Sequence, residues 1–279
     1  MSHLDHLLCP IDQQPLTQSG RTLTCSANHS YDLAKTGYIN LLPVQNKHSK
    51  DPGDSKAMVA ARQNLLMTGV YDPIIQGVLD SMPEALTAKK SIKLLDAGCG
   101  EGYYLHWLKQ ALGTQLTGTG LDISKWAITS ASKKSKELAW VVGSNAHIPV
   151  ASEYFDCVVC AFGFPVESEF SRVLQSEGWL LLVESGPQHL IELRNVLYPE
   201  IRPFKQTFEE GITGFDLVQA SSYQFQFHLD SQEQIGNLLS MTPHIHKAPY
   251  AGRQAALALT EIHLTADISL RWFKKQGTP

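Results

Sequence analysis

The run Leu94-Leu95-Asp96-Ala97-Gly98-Cys99-Gly100-Glu101-Gly102-Tyr103-Tyr104 constrains the fold of this 279-residue chain more than any other. An apolar stretch ends in an acid, glycine follows at every second position, and an amphipathic stretch begins. Gly98 and Gly100 let the backbone approach a ligand closely, and a helix starting after Gly102 offers free N–H groups. The order is D-x-G-x-G-x-G, not the G-x-G-x-x-G of a dinucleotide fingerprint. Around this loop, strand-like and helix-like segments alternate. Residues 92–96, 116–122, 138–142, 157–162 and 179–184 read as strands. Residues 102–112 and 125–137 read as helices, with shorter helical stretches between the later strands. Such alternation predicts an α/β fold with a mostly parallel, doubly wound sheet. Residues 215–229 and 255–268 are expected to be the last two strands, antiparallel at the sheet edge, with a helix at 231–241 between them.

A second acid, Asp122, ends the strand after the glycine loop, where a carboxylate can accept both ribose hydroxyls of a nucleoside cofactor. Asp96, Gly98, Gly100, Gly102 and Asp122 together resemble the class I S-adenosylmethionine-dependent methyltransferases, over roughly residues 55–270. The resemblance implies a seven-stranded sheet, a methionine-end contact at Gly98–Gly102, a ribose acceptor at Asp122 and an adenine contact at Ser144-Asn145-Ala146.

The N-terminal part has a different texture. Cys9-Pro10-Ile11-Asp12 and Cys25-Ser26-Ala27-Asn28-His29 look like two ligand loops of a closed tetrahedral metal site, with His6 and His3 as further donors. Asp12 stands where a second cysteine is usual, and a carboxylate is a harder ligand. Five cysteines, an odd number spread along a long chain, do not make a disulfide framework, so a reducing, cytoplasmic setting is expected. No apolar run is long enough for a membrane span. A net charge of −4 excludes a global polycation, so contact with nucleic acid would need a local basic patch. Residues 1–45 are expected to form a small module, 46–90 a linker with two helices, and 91–279 the sheet domain.

Gly37-Tyr38-Ile39-Asn40-Leu41-Leu42-Pro43 and Asp51-Pro52-Gly53-Asp54, joined to the cysteine loops and the glycine loop, resemble one family over nearly the whole chain. It is the RlmA family of 23S ribosomal RNA (guanine-N1)-methyltransferases. The resemblance implies one zinc per chain on Cys9, Asp12, Cys25 and His29, the second position being cysteine in the family. It also implies S-adenosylmethionine contacts at Tyr71, at Gly100 with Glu101, and at His189, and a ribosomal RNA hairpin as substrate. Two other readings stay open: a class I methyltransferase of small molecules, and a noncatalytic RNA- or metal-binding protein. A homodimer is also left open. No motif names a base for the guanine N1 proton; Asp51, Asp54, Glu184 and His189 are candidates. Lys47, His48, Lys50, Lys56 and Arg62, with Lys35, Tyr31 and Tyr38, are expected to face the RNA. Lys133, Lys134 and Lys136 are read as plain surface.

Overall fold

A computed structural model describes residues 4–46, 49 and 51–277. Lys47, His48, Lys50 and His3 lie outside the described residues. Three short strands, β1 (Thr17–Ser19), β2 (Thr22–Thr24) and β3 (Ser30–Asp32), form an antiparallel ribbon. The next strand, β4 (Ile39–Asn40), leaves the ribbon and joins the main sheet. Helices α1 (Lys56–Leu66), α2 (Asp72–Asp80) and α3 (Glu84–Thr87) follow. Ser55 caps α1 by accepting the Met58 N–H, and Pro73 sits in the first turn of α2.

The central sheet then builds up from β5 (Ile92–Ala97), α4 (Tyr103–Leu112), β6 (Leu116–Asp122), α5 (Lys125–Lys134) and β7 (Ala139–Val142). It continues through β8 (Phe155–Ala161), α6 (Glu167–Val173), β9 (Leu174–Ser185), α7 (Ile191–Leu197) and β10 (Phe215–Leu229). It closes with α8 (Gln232–Met241), α9 (His244–Lys247), α10 (Tyr250–Ala258) and β11 (Ile262–Lys275). Strand order is β10-β11-β9-β8-β5-β6-β7-β4, with the β10–β11 and β11–β9 pairs antiparallel and the remaining pairs parallel. Successive strands run outward in opposite directions from β5. The carboxyl ends of β5 and its neighbours therefore border a crevice at the switch point.

Three details differ from the sequence reading. The sheet has eight strands rather than seven, because β4 pairs in parallel with β7. Residues 250–258 form a helix and the last strand starts only at Ile262: Ala255, Ala256 and Ala258 favour helix, and Pro249 opens it. Residues 135–137 lie beyond the end of α5, where Ser135 turns extended.

Alternation along the buried strands sorts side chains onto two faces. Leu94, Val159, Leu181 and Val183 face one core, filled by α1, α2, α4, α5, α7, α8 and α10. Leu95, Val158, Leu180 and Leu182 face the other, covered by α6 and by Leu4, Leu7, Cys9, Leu16, Leu23, Cys25, Ile39 and Leu41. The N-terminal segment thus takes the place of helices on the second face. Leu8 N–H donates to the Pro149 carbonyl at 2.9 Å, and His6 stacks on Tyr154 with its Nε2 3.0 Å from Thr119 Oγ1.

Candidate active site and metal cluster

The glycine loop turns tightly from β5 into α4, with Gly98, Gly100 and Gly102 all at positive φ (87°, 55° and 81°). Their roles differ. A Cβ on Gly98 would meet only Asn145 and Gly163 at about the van der Waals limit, so its face is open towards the crevice. A Cβ on Gly102 would lie 2.5 Å from the Trp140 ring and 3.0 Å from Ala131 Cβ, so this glycine lets α4 pack against β7 and α5. Gly100 N–H donates to Asp122 Oδ2 at 2.9 Å, and Ser124 N–H donates to Oδ1 at 2.7 Å. Each Asp122 oxygen keeps a lone pair for another donor.

Asp96 is buried, and neither of its carboxylate oxygens has a hydrogen-bond partner among the described residues. Burial, then the charges of Asp122 and Glu101, pushes its carboxyl up to about 8. Asn145 donates to the Phe164 carbonyl at 3.2 Å while its buried Oδ1 is likewise orphaned. Orphaned acceptors of this kind are what a cationic or hydrogen-bond-donating ligand would satisfy.

The opposite wall is aromatic. Tyr71 is buried, with its ring centroid 6.3 Å from His189 and 5.7 Å from Phe227. Phe162 follows β8 directly at positive φ, stacks on His189 at 6.1 Å and lies 6.3 Å from Tyr104. Phe164 is 88% exposed beside it. Burial lowers the His189 imidazole to about 4, so it is neutral at physiological pH. Its Nδ1 accepts the Asp267 N–H at 3.3 Å, which places the ring proton on Nε2.

Sequence reasoning and structure part at several residues. Glu101 is buried and paired with Lys134 Nζ at 3.3 Å, so Lys134 is no plain surface lysine. Lys136 is also engaged, donating to the Thr36 carbonyl at 2.6 Å. Tyr38 is buried in the core and cannot stack on a base. Tyr31 turns its hydroxyl to Cys9 Sγ at 3.2 Å, and Lys56 lies over Trp126. Arg62 pairs with Asp54 and sits 3.4 Å from where a Gly100 Cβ would be, over the glycine loop. Ser124 Oγ donates to the Asp54 carbonyl at 2.6 Å, so the 51–55 loop closes over the end of β6. The spacing of Asp54 and Arg62 across a helix start could have flagged this strap. Of the candidate bases, Asp54 and Glu184 are ion-paired, Glu184 with the buried Arg271. Asp51 is exposed.

At the N-terminus, one donor atom from each of Cys9, Asp12, Cys25 and His29 falls within 4.8 Å of the others. Cys25 Sγ is 3.1 Å from Asp12 Oδ2, and His29 Nδ1 is 3.1 Å from the same oxygen. His29 Nδ1 lies 3.5 Å from Cys9 Sγ and 3.4 Å from Cys25 Sγ. Ligands at 2.0–2.3 Å from a tetrahedral zinc stand about 3.3–3.8 Å apart, and these separations of 3.1–3.5 Å need to open by only a few tenths of an ångström at the two shortest for the donor set to fit the ion. His6, held on Tyr154 and Thr119, is not part of the cluster.

Glycine loop, ribose-type acid and strand order define a class I S-adenosylmethionine-dependent methyltransferase fold carrying an N-terminal ribbon. Residues 7–50 match the family described as "RlmA, N-terminal", and residues 94–178 match "Methyltransferase domain". The Bacillus subtilis protein YxjB, named for 23S rRNA (guanine-N1) methylation, is 30% identical over 94% of this chain and 94% of its own. A Micromonospora griseorubida protein with the same kind of name is 30% identical over 97% of this chain and 98% of its own. A 23S rRNA (guanine(748)-N(1))-methyltransferase of Streptomyces fradiae is 29% identical over 85% of each chain. The chain belongs to the RlmA family of 23S rRNA (guanine-N1)-methyltransferases.

Proposed function

We infer that this protein transfers the methyl group of S-adenosylmethionine to N1 of a guanine in a hairpin loop of 23S ribosomal RNA. The end-to-end likeness to relatives named for that reaction carries the reading. Orphaned acceptors at the switch-point crevice support it. Bound there, the cofactor supplies an already activated methyl group, so the chain's part is positioning and exclusion of water. Asp122 accepts the ribose hydroxyls, Gly98 and Gly100 admit the methionine end, Asp96 receives its ammonium, and Asn145 lies at the adenine. Tyr71 and His189 wall the pocket, with Glu101 fixing the loop through Lys134. His189 is neutral with its proton on Nε2, which suits it to donate a hydrogen bond rather than to take the guanine proton. Methylation of unmodified 23S rRNA by the purified protein, mapped by mass spectrometry, tests the reading. Transfer to small-molecule acceptors but never to this RNA would overturn it.

The Asp122→Ala variant should lose about 2–3 kcal/mol of cofactor affinity, the worth of charge-assisted bonds to two hydroxyls. Equal affinity of the parent protein for the cofactor and its 2′-deoxy analogue would contradict that role.

Asp96 gives a pH signature. Its folded value, about 8, lies above the ordinary 3.8, so the folded state favours the protonated carboxyl. That contribution to stability is fully present below the ordinary value and is lost as pH rises through about 8. Asp96→Asn should therefore gain heat stability over the cofactor-free parent as pH rises, while binding the cofactor less well. Parallel melting-temperature profiles for the two proteins would sink the assignment.

One zinc per chain, held by Cys9, Asp12, Cys25 and His29, is the expected metal content. Asp12→Cys should tighten it, thiolate being the softer ligand. A chelator should lower the melting temperature, because binding to a folded site adds to stability. Protein that contains no zinc as purified, and melts identically with chelator, would refute the site.

A further inference from the structure

We propose that Arg194, Arg202 and Lys247, flanked by Tyr198, His244 and Tyr250, form a phosphate-gripping surface on the rim of the cofactor pocket that holds the RNA on either side of the target guanine. The proposal rests on the ribosomal RNA reading and adds a surface to it. Along the rim, the chain from 241 to 247 runs from one wall of the pocket to the other. At its start, the Met241 carbonyl accepts from Arg62 Nη2 at 3.5 Å, and Arg62 lies over the glycine loop. Further on, His244 Nδ1 meets the Tyr198 hydroxyl at 2.9 Å with the rings 5.5 Å apart. Beside them, Arg194 donates to the Pro187 carbonyl at 2.9 Å and the His189 carbonyl at 3.5 Å.

Positive charge collects on this rim without carboxylate partners among the described residues. None of Arg194, Arg202 and Lys247 pairs with a carboxylate among the described residues, whereas Arg62, Lys89, Lys134, Arg172, Arg271 and Lys274 all do. The imidazole of His244 is lowered by burial and then by Arg194 and Lys247, and the Tyr198 hydroxyl that meets it feels both Arg194 and Arg202, so the three cations share one neighbourhood. Of the acids in the same segments, Glu192 is occupied by Thr265, its carboxylate accepting both N–H and hydroxyl, and Glu200 and Glu233 are exposed. Residues 187–205 and 231–258 carry five Arg and Lys (Arg194, Arg202, Lys205, Lys247 and Arg253) against these three Glu, and in a chain of net charge −4 such a local surplus beside a pocket matches a polyanion. Aromatic faces complete the match. Tyr250 is 71% exposed at the start of α10, and Phe164 is 88% exposed beyond Phe162, which stacks on His189. Cations meeting phosphates, with aromatic rings for unstacked bases, are how proteins hold single-stranded loops. An acceptor small enough to enter the pocket would make no use of cations outside it.

The test compares the full-length parent with Arg202→Glu/Lys247→Glu, both exposed positions, and with Lys90→Glu as a charge control before β5. The probe is unmodified 23S rRNA transcribed in vitro. RNA affinity is measured against salt, and cofactor affinity separately by calorimetry. The double variant should bind the transcript about tenfold or more weakly, with a salt slope lower by about one unit per lost phosphate contact. Its KM for RNA should rise more than its kcat falls, and its cofactor affinity should stay parental. Arg202→Gln/Lys247→Gln should shift the same way by less, and Lys90→Glu should behave as the parent. Parental RNA affinity and slope in a double variant that still binds the cofactor would overturn the surface while leaving the methylation reading intact. If the parent itself neither binds nor methylates the transcript, both fall.

Discussion

The Gly100→Val and Gly102→Val variants should fail in opposite ways. The first should fold and lose S-adenosylmethionine binding; the second should lose the fold. Both backbones are left-handed, at φ 55° and 81°, and an L side chain there costs roughly 1–2 kcal/mol. For Gly100 that strain is nearly the whole folding cost. Its Cβ meets only the end of the Arg62 side chain, at 3.4 Å, and a guanidinium on a long stem can give way. The displaced groups are nonetheless those around Asp122, the proposed ribose acceptor: Gly100 N–H on its carboxylate, and Arg62 with Asp54 above it. At Gly102 the Cβ would sit 2.5 Å from Trp140, whose ring is buried and held by its indole N–H on the Ser135 carbonyl. Trp140 cannot move without opening the core between α4, α5 and β7, and overpacking adds about 1–3 kcal/mol or more. Calorimetry for the cofactor and thermal melting for the fold separate the two. Parental cofactor affinity in folded Gly100→Val would remove the loop from the binding site.

The contrast shows what one sequence can and cannot display. Three glycines in one motif look equivalent because the spacing is regular. Only the neighbours, the open crevice at Gly98, the Asp122 carboxylate at Gly100 and the Trp140 ring at Gly102, divide ligand contact from packing. The parallel strands and the doubly wound plan were legible because buried parallel strands read as continuous apolar runs and the intervening helices are amphipathic. The helix at 250–258 was not, since an alanine-rich stretch beside a long strand carries no clear period. The metal cluster was legible as four donors in two short loops, and the structure brings those four together. The proposed cationic rim was invisible because Arg194, Tyr198 and Arg202 come from one segment and His244 and Lys247 from another, and the two meet only in the fold. Arg62 looked like an RNA contact for the complementary reason: a lone basic residue near a basic linker shows no sign of the carboxylate it pairs with.

Removing residues 1–45 should abolish the fold of the remainder, not merely its grip on RNA. A separable recognition module would leave cofactor affinity within a few-fold of the parent, which is the outcome the sequence alone suggests. The shared core argues otherwise. Leu7, Leu23 and Ile39 are fully buried, and they pack with Leu95, Leu121, Val141, Leu180 and Leu182 on a sheet face otherwise covered by α6 and the 208–212 region. Truncation would bare that face to water, and exposed apolar patches of such extent drive aggregation. The link reaches the cofactor site as well. Asn40 pairs with Val142, Leu41 N–H donates to the Val142 carbonyl at 2.9 Å, and Gly143 N–H donates to the Asp122 carbonyl at 3.0 Å. Through this ladder the N-terminal strand holds the end of β7 beside Asp122, the proposed ribose acceptor. The milder variant Ile39→Ala should therefore cost about 2–5 kcal/mol of stability and weaken cofactor binding together. Cys25→Ser, which disturbs the ribbon's metal cluster, should leave cofactor affinity closer to parental. A chain beginning at residue 46 that stays soluble, melts cooperatively and binds the cofactor like the parent would show that the sheet domain closes its second face on its own.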